Sequence, residues 1–487
     1  MSISRVAVVG AGPNGLAAAV TLARAGLAVD VFERNPWLGG GSATRQTTLP
    51  GFRHDVASAV HPMALASPFF RVFELSERIE LAVPEVSFAH PLPNGRSGLG
   101  YRDLDRAADA IGRDGAAYRA FLRPLVERIA GAADLTLNPL LRVPREPIAA
   151  AVFAARVLEG GTPAWHVRYD EEIAPAMLTG CAAHAIGRHP SLATAGGGAV
   201  LAATAHAGGW PVPIGGSQAI VDALAADLEN HGGRLVLGQE ITDLAELDAY
   251  DASVLDVGVP ALLALGGRRL PDRYRSALGR YRHGNGVSKV DFALAGPVPW
   301  SDDRISDAPT VHLGGTREQI AASERQVMRG RVPERPYVLA VQPSVVDETR
   351  APAGRATLWA YIHVPYDSDV DATELVTRAV EEHAPGFRDL VLASVATRAS
   401  DFAQAVSPNF VGGDFASGAV TLAQMVKRPV VSRTPWRTPV RGAYVGSGAT
   451  SPGPAVHGMG GWHAARTLLA DHGITEPSLA RGAATQK

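Results

Sequence analysis

The sequence predicts an α/β fold in which a parallel-sheet domain is assembled from discontinuous segments and an α+β domain is threaded between them. Three observations predict it. A strand, a glycine-rich turn, a helix and a second strand run from Arg5 to Glu33. A helix and short strands of the same kind recur between Pro213 and Asp256. A strand, a second glycine-rich turn and a helix close the chain between Gly442 and Leu469. At 487 residues the chain exceeds one ordinary core, so two domains are expected, and either can be split in sequence.

The opening unit reads SRVAVVGAGPNGLAAAVTLARAGLAVDVFER. Val6, Val8 and Val9 suit a parallel strand that is apolar on both faces. Gly10, Gly12 and Gly15 supply the G-x-G-x-x-G pattern of a Rossmann-like dinucleotide-binding turn. The first glycine allows the sharp turn, the second lets backbone approach a pyrophosphate, and the third lets helix lie close on strand. Pro13 suits the first helical turn, where its missing N–H costs little, and Asn14 follows it. The helix start presents free N–H groups to phosphate. Gly26 ends the helix. The second strand, Ala28–Phe32, delivers Glu33, whose carboxylate can accept hydrogen bonds from both ribose hydroxyls and would repel a 2′-phosphate. Arg34 beside it joins the expected cofactor set.

Composition narrows the function. Hydrophobic residues make up 46% and charged residues 19%, which suits large cores. Net charge is −2, from 46 basic and 48 acidic residues, so no electrostatic footprint points to nucleic acid or anionic lipid. A lone cysteine, Cys181, excludes an internal disulfide framework, a cysteine-built metal site and dithiol redox chemistry. The apolar run behind Arg5 is broken by Gly10, Gly12, Pro13, Asn14 and Gly15, unlike a signal peptide. Residues 189–221 carry no Asp, Glu, Lys or Arg, but Pro190, Pro211, Pro213 and seven glycines rule out a continuous spanning helix. A soluble, cytoplasmic protein is expected, with peripheral membrane contact left open.

Six residues after Glu33 the chain reads Gly39-Gly40-Gly41-Ser42-Ala43-Thr44. A nicotinamide domain needs no second glycine cluster there. The combined pattern of G-x-G-x-x-G, then E-x5-G-G, running into LPGFRHDVASAVHP, resembles the FAD-dependent phytoene-desaturase-like oxidoreductases of the amine-oxidase superfamily. Carotenoid desaturases usually carry Arg where this chain has Gly41, so the resemblance is to the desaturase-like branch and leaves a carotenoid substrate unsupported. The resemblance implies FAD, with Gly39, Gly40, Gly41 and Ser42 along its pyrophosphate and ribityl chain.

In the middle of the chain, PIAAAVFAARVLEGG and EEIAPAMLTGCAAHAIG are the clearest helices. They read as packed helices that also cap an apolar pocket. PIGGSQAIVDALAADLENHGGRLVLGQEITDL then gives a turn, Ser217 as N-cap, a helix with Ile220, Leu224 and Leu228 on one stripe, and a strand at Arg234–Leu237. The resemblance places Ile241 at the adenine. Another strand, Ala252–Asp256, and a helix follow. The expected division is a cofactor domain from 1–65, 206–270 and 420–487, and a substrate domain from 66–205 and 271–419.

RYRHGNGVSKVDFALAGPVPW alternates as a strand, with Val287, Lys289, Asp291 and Ala293 on one face. In superfamily amine oxidases a strand lysine holds a water against flavin N5. Lys289 matches it by order and by the following PVPW, and is the one candidate catalytic side chain; the alternative is an exposed strand lysine. Farther on, Asp371 with Glu374 has capping-box spacing. Tyr361, His363 and Tyr366 are isolated polar residues on strand-like pieces.

GAYVGSGATSPGPAVHGMGGWHAARTLL closes the chain. The resemblance lays its backbone along the ribityl and isoalloxazine parts of the same FAD, through Gly446, Ser447, Val456 and Met459, with the helix start aimed at the ring. No second nucleotide turn, P-loop, H-E-x-x-H or G-x-S-x-G sequence is present. His54, His61 and His457 lie in segments that the resemblance brings near the flavin. The reading is an FAD-dependent oxidoreductase that desaturates or dehydrogenates an apolar, isoprenoid- or lipid-like substrate by hydride transfer to flavin N5, with dioxygen or a quinone as acceptor. A flavin amine oxidase and a non-catalytic flavin-binding protein are the alternatives. No metal is called for.

Overall fold

A computed structural model describes residues 3–482. A five-stranded, all-parallel sheet has the spatial order Ala443–Val445, Ala252–Leu255, Arg5–Val9, Ala28–Glu33, Arg234–Leu237. Neighbours in space thus come from three separated stretches of sequence. Alternation along the first strand explains its valines: Val6 and Val8 enter one hydrophobic cluster, Ala7 and Val9 the cluster on the other face. Helix Pro13–Arg24 packs between helices Gln218–Asn230 and Met459–Asp471 on the first face. Short helix Val259–Gly266 belongs to the second.

Arg24, fully inside, makes a two-pronged ion pair with buried Asp227 (2.8 and 2.6 Å), which also receives Arg78 at 2.9 Å. A bidentate geometry satisfies both charges and makes burial tolerable.

The second sheet is mixed, in the order Val391–Thr397, Gly286–Leu294, Ala356–Val364, Val338–Val341, Thr310–Leu313, Val86–Pro91, Ser97–Tyr101. Every pairing is antiparallel except that of Thr310–Leu313 with Val86–Pro91. Its register puts Thr310, Val341, Trp359 and Asp291 in one cross-strand row, and His312, Leu339, Tyr361 and Lys289 in the next. These rows share a face, because residues two apart on a strand point the same way. Helices Pro147–Gly161, Ile173–Ala182 and Leu192–Ala207 pack together beside this sheet.

Three local expectations change. Asp256 stands just past the fourth strand, which ends at Leu255. Ser217 precedes its helix but does not cap it; its hydroxyl donates to the Ser58 carbonyl instead. Asp371 accepts from the Thr373 amide (2.8 Å), whereas Glu374 is drawn away to Arg388, so no capping box forms there. In both cases a tertiary partner outcompetes the local cap.

Candidate functional site

The opening turn is held by its neighbours. The Gly10 amide donates to the Phe32 carbonyl (2.8 Å), and the Ala11 amide donates to Glu33 Oε2 (2.9 Å). Glu33 Oε1 accepts from the Asn35 amide (2.9 Å), so two backbone bonds fix its carboxylate. Gly12 stands at the N-terminus of helix Pro13–Arg24, with no side-chain cap and no acid in the first turn. A Cβ on Gly12 would stand 3.0 Å from Asp256 Oδ2, and one on Gly40 would lie 3.7 Å from the Gly12 Cα. The two glycine segments therefore present bare backbone to each other, and the Gly39 amide donates to the Ala11 carbonyl (3.0 Å).

A single cavity of about 960 Å³ runs from this turn into the second domain. Of the residues that the sequence reading assigns to a cofactor, Gly10, Gly12, Pro13, Asn14, Glu33, Arg34, Gly40, Gly41, Ser42 and Ile241 line this cavity. Val456 lines it from the closing segment, with Gly448, Pro454 and His457. Thr310, Leu339, Val341, Trp359 and Tyr361 form its floor on the second sheet, and Phe153, Val157 and Leu201 its apolar helical wall.

Gly15 and Gly39 lie outside the lining, as do Gly446, Ser447, Met459 and Lys289. Gly15 and Gly446 have packing reasons. A Cβ on Gly15 would fall onto the Gly10 carbonyl, and one on Gly446 would come within 2.9 Å of Ala464 Cβ and the Gly460 carbonyl oxygen. Ser447 donates its hydroxyl to the Val257 carbonyl (2.7 Å). The closing helix uses its first amides internally: Met459 N–H donates to His457 Nδ1 (3.1 Å) and Gly460 N–H to Asn14 Oδ1 (3.1 Å). The two glycine turns meet at Asn14, and the opening helix is the one whose N-terminus faces the cavity.

Lys289 is buried, not an exposed strand lysine. Its ammonium pairs with Asp291 on the same strand and stands 5.4 Å from the Trp359 ring centroid. Asp291 also accepts from Thr47 (3.0 Å) and faces His54 Nδ1 at 3.6 Å. Burial pushes His54 down to about 4, against the pull of Asp291, so it is neutral at pH 7. His61 and His457 line the cavity, and His54 does not. Tyr361 lines it, His363 is buried against Glu324 (2.6 Å), and Tyr366 is exposed.

Several site residues escape the sequence reading. Asp256 is buried beside the turn, accepts from the Gly15 amide (2.9 Å), and is pushed up to about 7, chiefly by burial. The rule that ligands gather at the carboxyl ends of parallel strands is the signal that could have found it. His184 lines the cavity with its Nε2 2.9 Å from His312 Nε2. Burial drives His184 down to about 3 and His312 well below the ordinary histidine range, so the pair is neutral. Arg428 is fully buried and donates to three carbonyl oxygens, those of Ala416 (2.8 Å), Gly448 (2.7 Å) and Gly418 (2.7 Å). It fixes the Ala416 and Gly448 segments that line the cavity.

The chain's likenesses accord with this geometry. The model of the NAD(P)-binding Rossmann-like domain matches residues 8–74. The chain is 24% identical to the pyridine nucleotide-disulfide oxidoreductase domain-containing protein 2 of Rattus norvegicus, over 95% of this chain and 93% of that protein. Among solved structures, a double mutant of putrescine oxidase redesigned in cofactor binding superposes with a TM-score of 0.59 at 16% identity, over 97% of this chain and 100% of that one. Cyclohexylamine oxidase from Brevibacterium oxydans gives 0.56 at 14%, over 97% and 99%. The protein has the fold of these oxidases. Among the described residues, no helix is long and apolar enough to cross a membrane.

Proposed function

We propose that this protein is an FAD-dependent oxidoreductase acting on an apolar small molecule, with dioxygen or a quinone as final acceptor. The observation that carries the reading is the single cavity that joins a dinucleotide turn to an apolar wall. The residues fit the dinucleotide. Gly12 and Gly40 leave a cradle that a Cβ would enter, Glu33 is preset by two amides, and the buried Ser42 hydroxyl on the lining has no hydrogen-bond partner. Bound flavin would supply a two-electron acceptor for substrate hydride. Asn14 and the first helical turn would hold the pyrophosphate, Glu33 the ribose, and Ile241 the adenine side. Arg428 would set positive charge behind the Gly448 turn, which favours negative charge in the cavity.

Desaturation of an isoprenoid- or lipid-like body is the finer proposal, supported by Phe153, Val157, Leu201, Leu339 and Val341 on the lining. Lys289 enters as a positioning residue: paired with Asp291 and set over the Trp359 ring, it fixes part of the cavity's floor. Amine oxidation is the second reading, favoured by the stacked Trp359–Tyr361 pair (centroids 5.7 Å apart) on the lining.

Purified protein is expected to be yellow and to release FAD on denaturation. Anaerobic mixing with isoprenoids, lipids and amines is expected to bleach the flavin with one of the apolar compounds. A colourless protein that cannot be loaded with FAD would overturn the reading. Flavin that no candidate reduces would favour a non-catalytic binding protein.

A further inference from the structure

The floor of the cavity holds hydrogen-bonding groups that the fold leaves without partners. Trp359 is 3% exposed, and its indole Nε1, a donor with no acceptor capacity, makes no hydrogen bond. Thr310 is 1% exposed, and its Oγ1 makes none either. Both residues line the cavity, and the register sets them in one row with Val341 between them. His312 follows Thr310 by two residues on the same face and occupies Nε2 of His184.

That last contact has a chemical consequence. Two imidazole nitrogens 2.9 Å apart share one proton. If His184 donates, its remaining nitrogen, Nδ1, is an acceptor; if His312 donates, Nδ1 of His184 carries the hydrogen. His184 Nδ1 is thus an acceptor or a donor according to which tautomers the two neutral rings hold, and passing between them moves a proton at each Nδ1 as well as the shared one. Trp359 can only donate.

Resting on the proposed oxidation of an apolar substrate, we infer that this substrate carries a hydrogen-bond-accepting oxygen, as a carbonyl or hydroxyl, read by Trp359 and Thr310 with His184 beside them. A carbonyl satisfies the indole N–H. A hydroxyl satisfies it and gives its own hydrogen to Thr310 or His184. A plain hydrocarbon leaves the buried donor unpaired. A protonated amine offers hydrogens where the indole needs a lone pair, so an ammonium group leaves this donor unpaired. Leaving a buried donor unsatisfied costs more than a hydrogen bond gains, which is why such groups mark what their ligand must supply.

The test uses FAD-loaded protein and four ten-carbon probes: decane, methyl octyl ketone, methyl octyl carbinol and decylammonium. Binding is read by displacement of a polarity-sensitive dye. Thr310→Val removes one polar atom at nearly constant shape, and Trp359→Phe removes the indole N–H together with part of the ring, so decane is the control for lost packing. Each is expected to weaken the ketone and carbinol by about five- to tenfold and to leave decane within about twofold. Equal weakening of decane and ketone in both variants would overturn the inference, as would tighter binding of decylammonium than of the ketone to the unaltered protein. Should one variant fail to fold, the other reads the same contrast. Flavin content is measured from the visible spectrum of each preparation. Protein that cannot hold FAD defeats the oxidoreductase reading, whereas yellow protein without the ketone contrast defeats this inference alone.

Discussion

Asp256 shows how one residue links the glycine turn to pH. It lies directly after a parallel strand, with the Gly15 amide on its Oδ2. Burial raises its carboxyl to about 7, the Gly15 hydrogen bond pulls it down, and the Glu33 charge raises it. The fold therefore binds a proton that the unfolded chain releases above its ordinary value of 3.8. Stability from this group is fully present below that value and declines as pH rises toward about 7, by roughly 1.4 kcal/mol per unit. Asp256→Asn keeps an acceptor for Gly15 and removes the titration. Thermal melts of the two proteins from pH 5 to 8 are expected to diverge, the variant gaining on the parent by on the order of 2 kcal/mol or more. Parallel melting curves across that range would show that Asp256 is ionised throughout. The sequence placed Asp256 at the end of a strand, but its protonation depends on Glu33 and on burial, which strand assignment does not reveal.

Among the elements, helix Ile173–Ala182 carries a glycine that local preference argues against. Gly180 would gain about 1 kcal/mol of helix propensity as alanine. Its surroundings oppose that: a Cβ there would stand 2.7 Å from His312 Nδ1 and 2.8 Å from His90 Nδ1, both on buried rings. His90 is tied down by its Nε2–H, which donates to the Gly315 carbonyl (2.8 Å), and His312 by His184. Neither ring can swing away, and overpacking of this kind costs about 1–3 kcal/mol. Gly180→Ala is therefore expected to destabilise by about 1–2 kcal/mol in urea unfolding. A stabilised variant would mean the histidine rings move freely. The helix itself was legible from its apolar run; the reason for its glycine was not, because both histidines arrive from strands far away in sequence.

For the whole molecule, the tie between segments is a buried guanidinium. Arg350 bonds Asp347 through Nε (2.7 Å) and Asp55 through Nη1 (2.7 Å), with all three side chains fully buried. Asp55 also accepts from Thr44 (2.6 Å) and the Ser217 amide (2.9 Å), and Asp347 from the Gly215 amide (2.8 Å). Burial would raise Asp55, but Arg350 and these hydrogen bonds outweigh it and hold the carboxyl below its ordinary value. One cluster thereby joins the strand after the second glycine segment, the returning segment at 213–218, and a connection of the second sheet. Arg350→Met is expected to cost about 3–5 kcal/mol, because it leaves two buried carboxylates uncompensated. The loss should appear as a lower thermal midpoint. An unchanged midpoint would show that the cluster holds nothing together.

The sequence by itself determined the local units: the opening strand–turn–helix with Glu33, the second glycine segment, the returning helix and strand, and the closing strand and helix. These are short-range patterns of glycine, valine and apolar spacing, and their physical causes act within a few residues. Only the tertiary structure decided which of their residues face the cavity. Gly446, Ser447 and Met459 turned inward to helix packing and backbone hydrogen bonds, while Gly448, His457 and Asp256 took places on the lining. It also decided that Lys289 meets Asp291 beside the Trp359 ring, and that Thr310, Trp359 and His184 line one cavity. The physical reason is register: pairing of strands hundreds of residues apart fixes which side chains share a face, and no window along the chain contains that information.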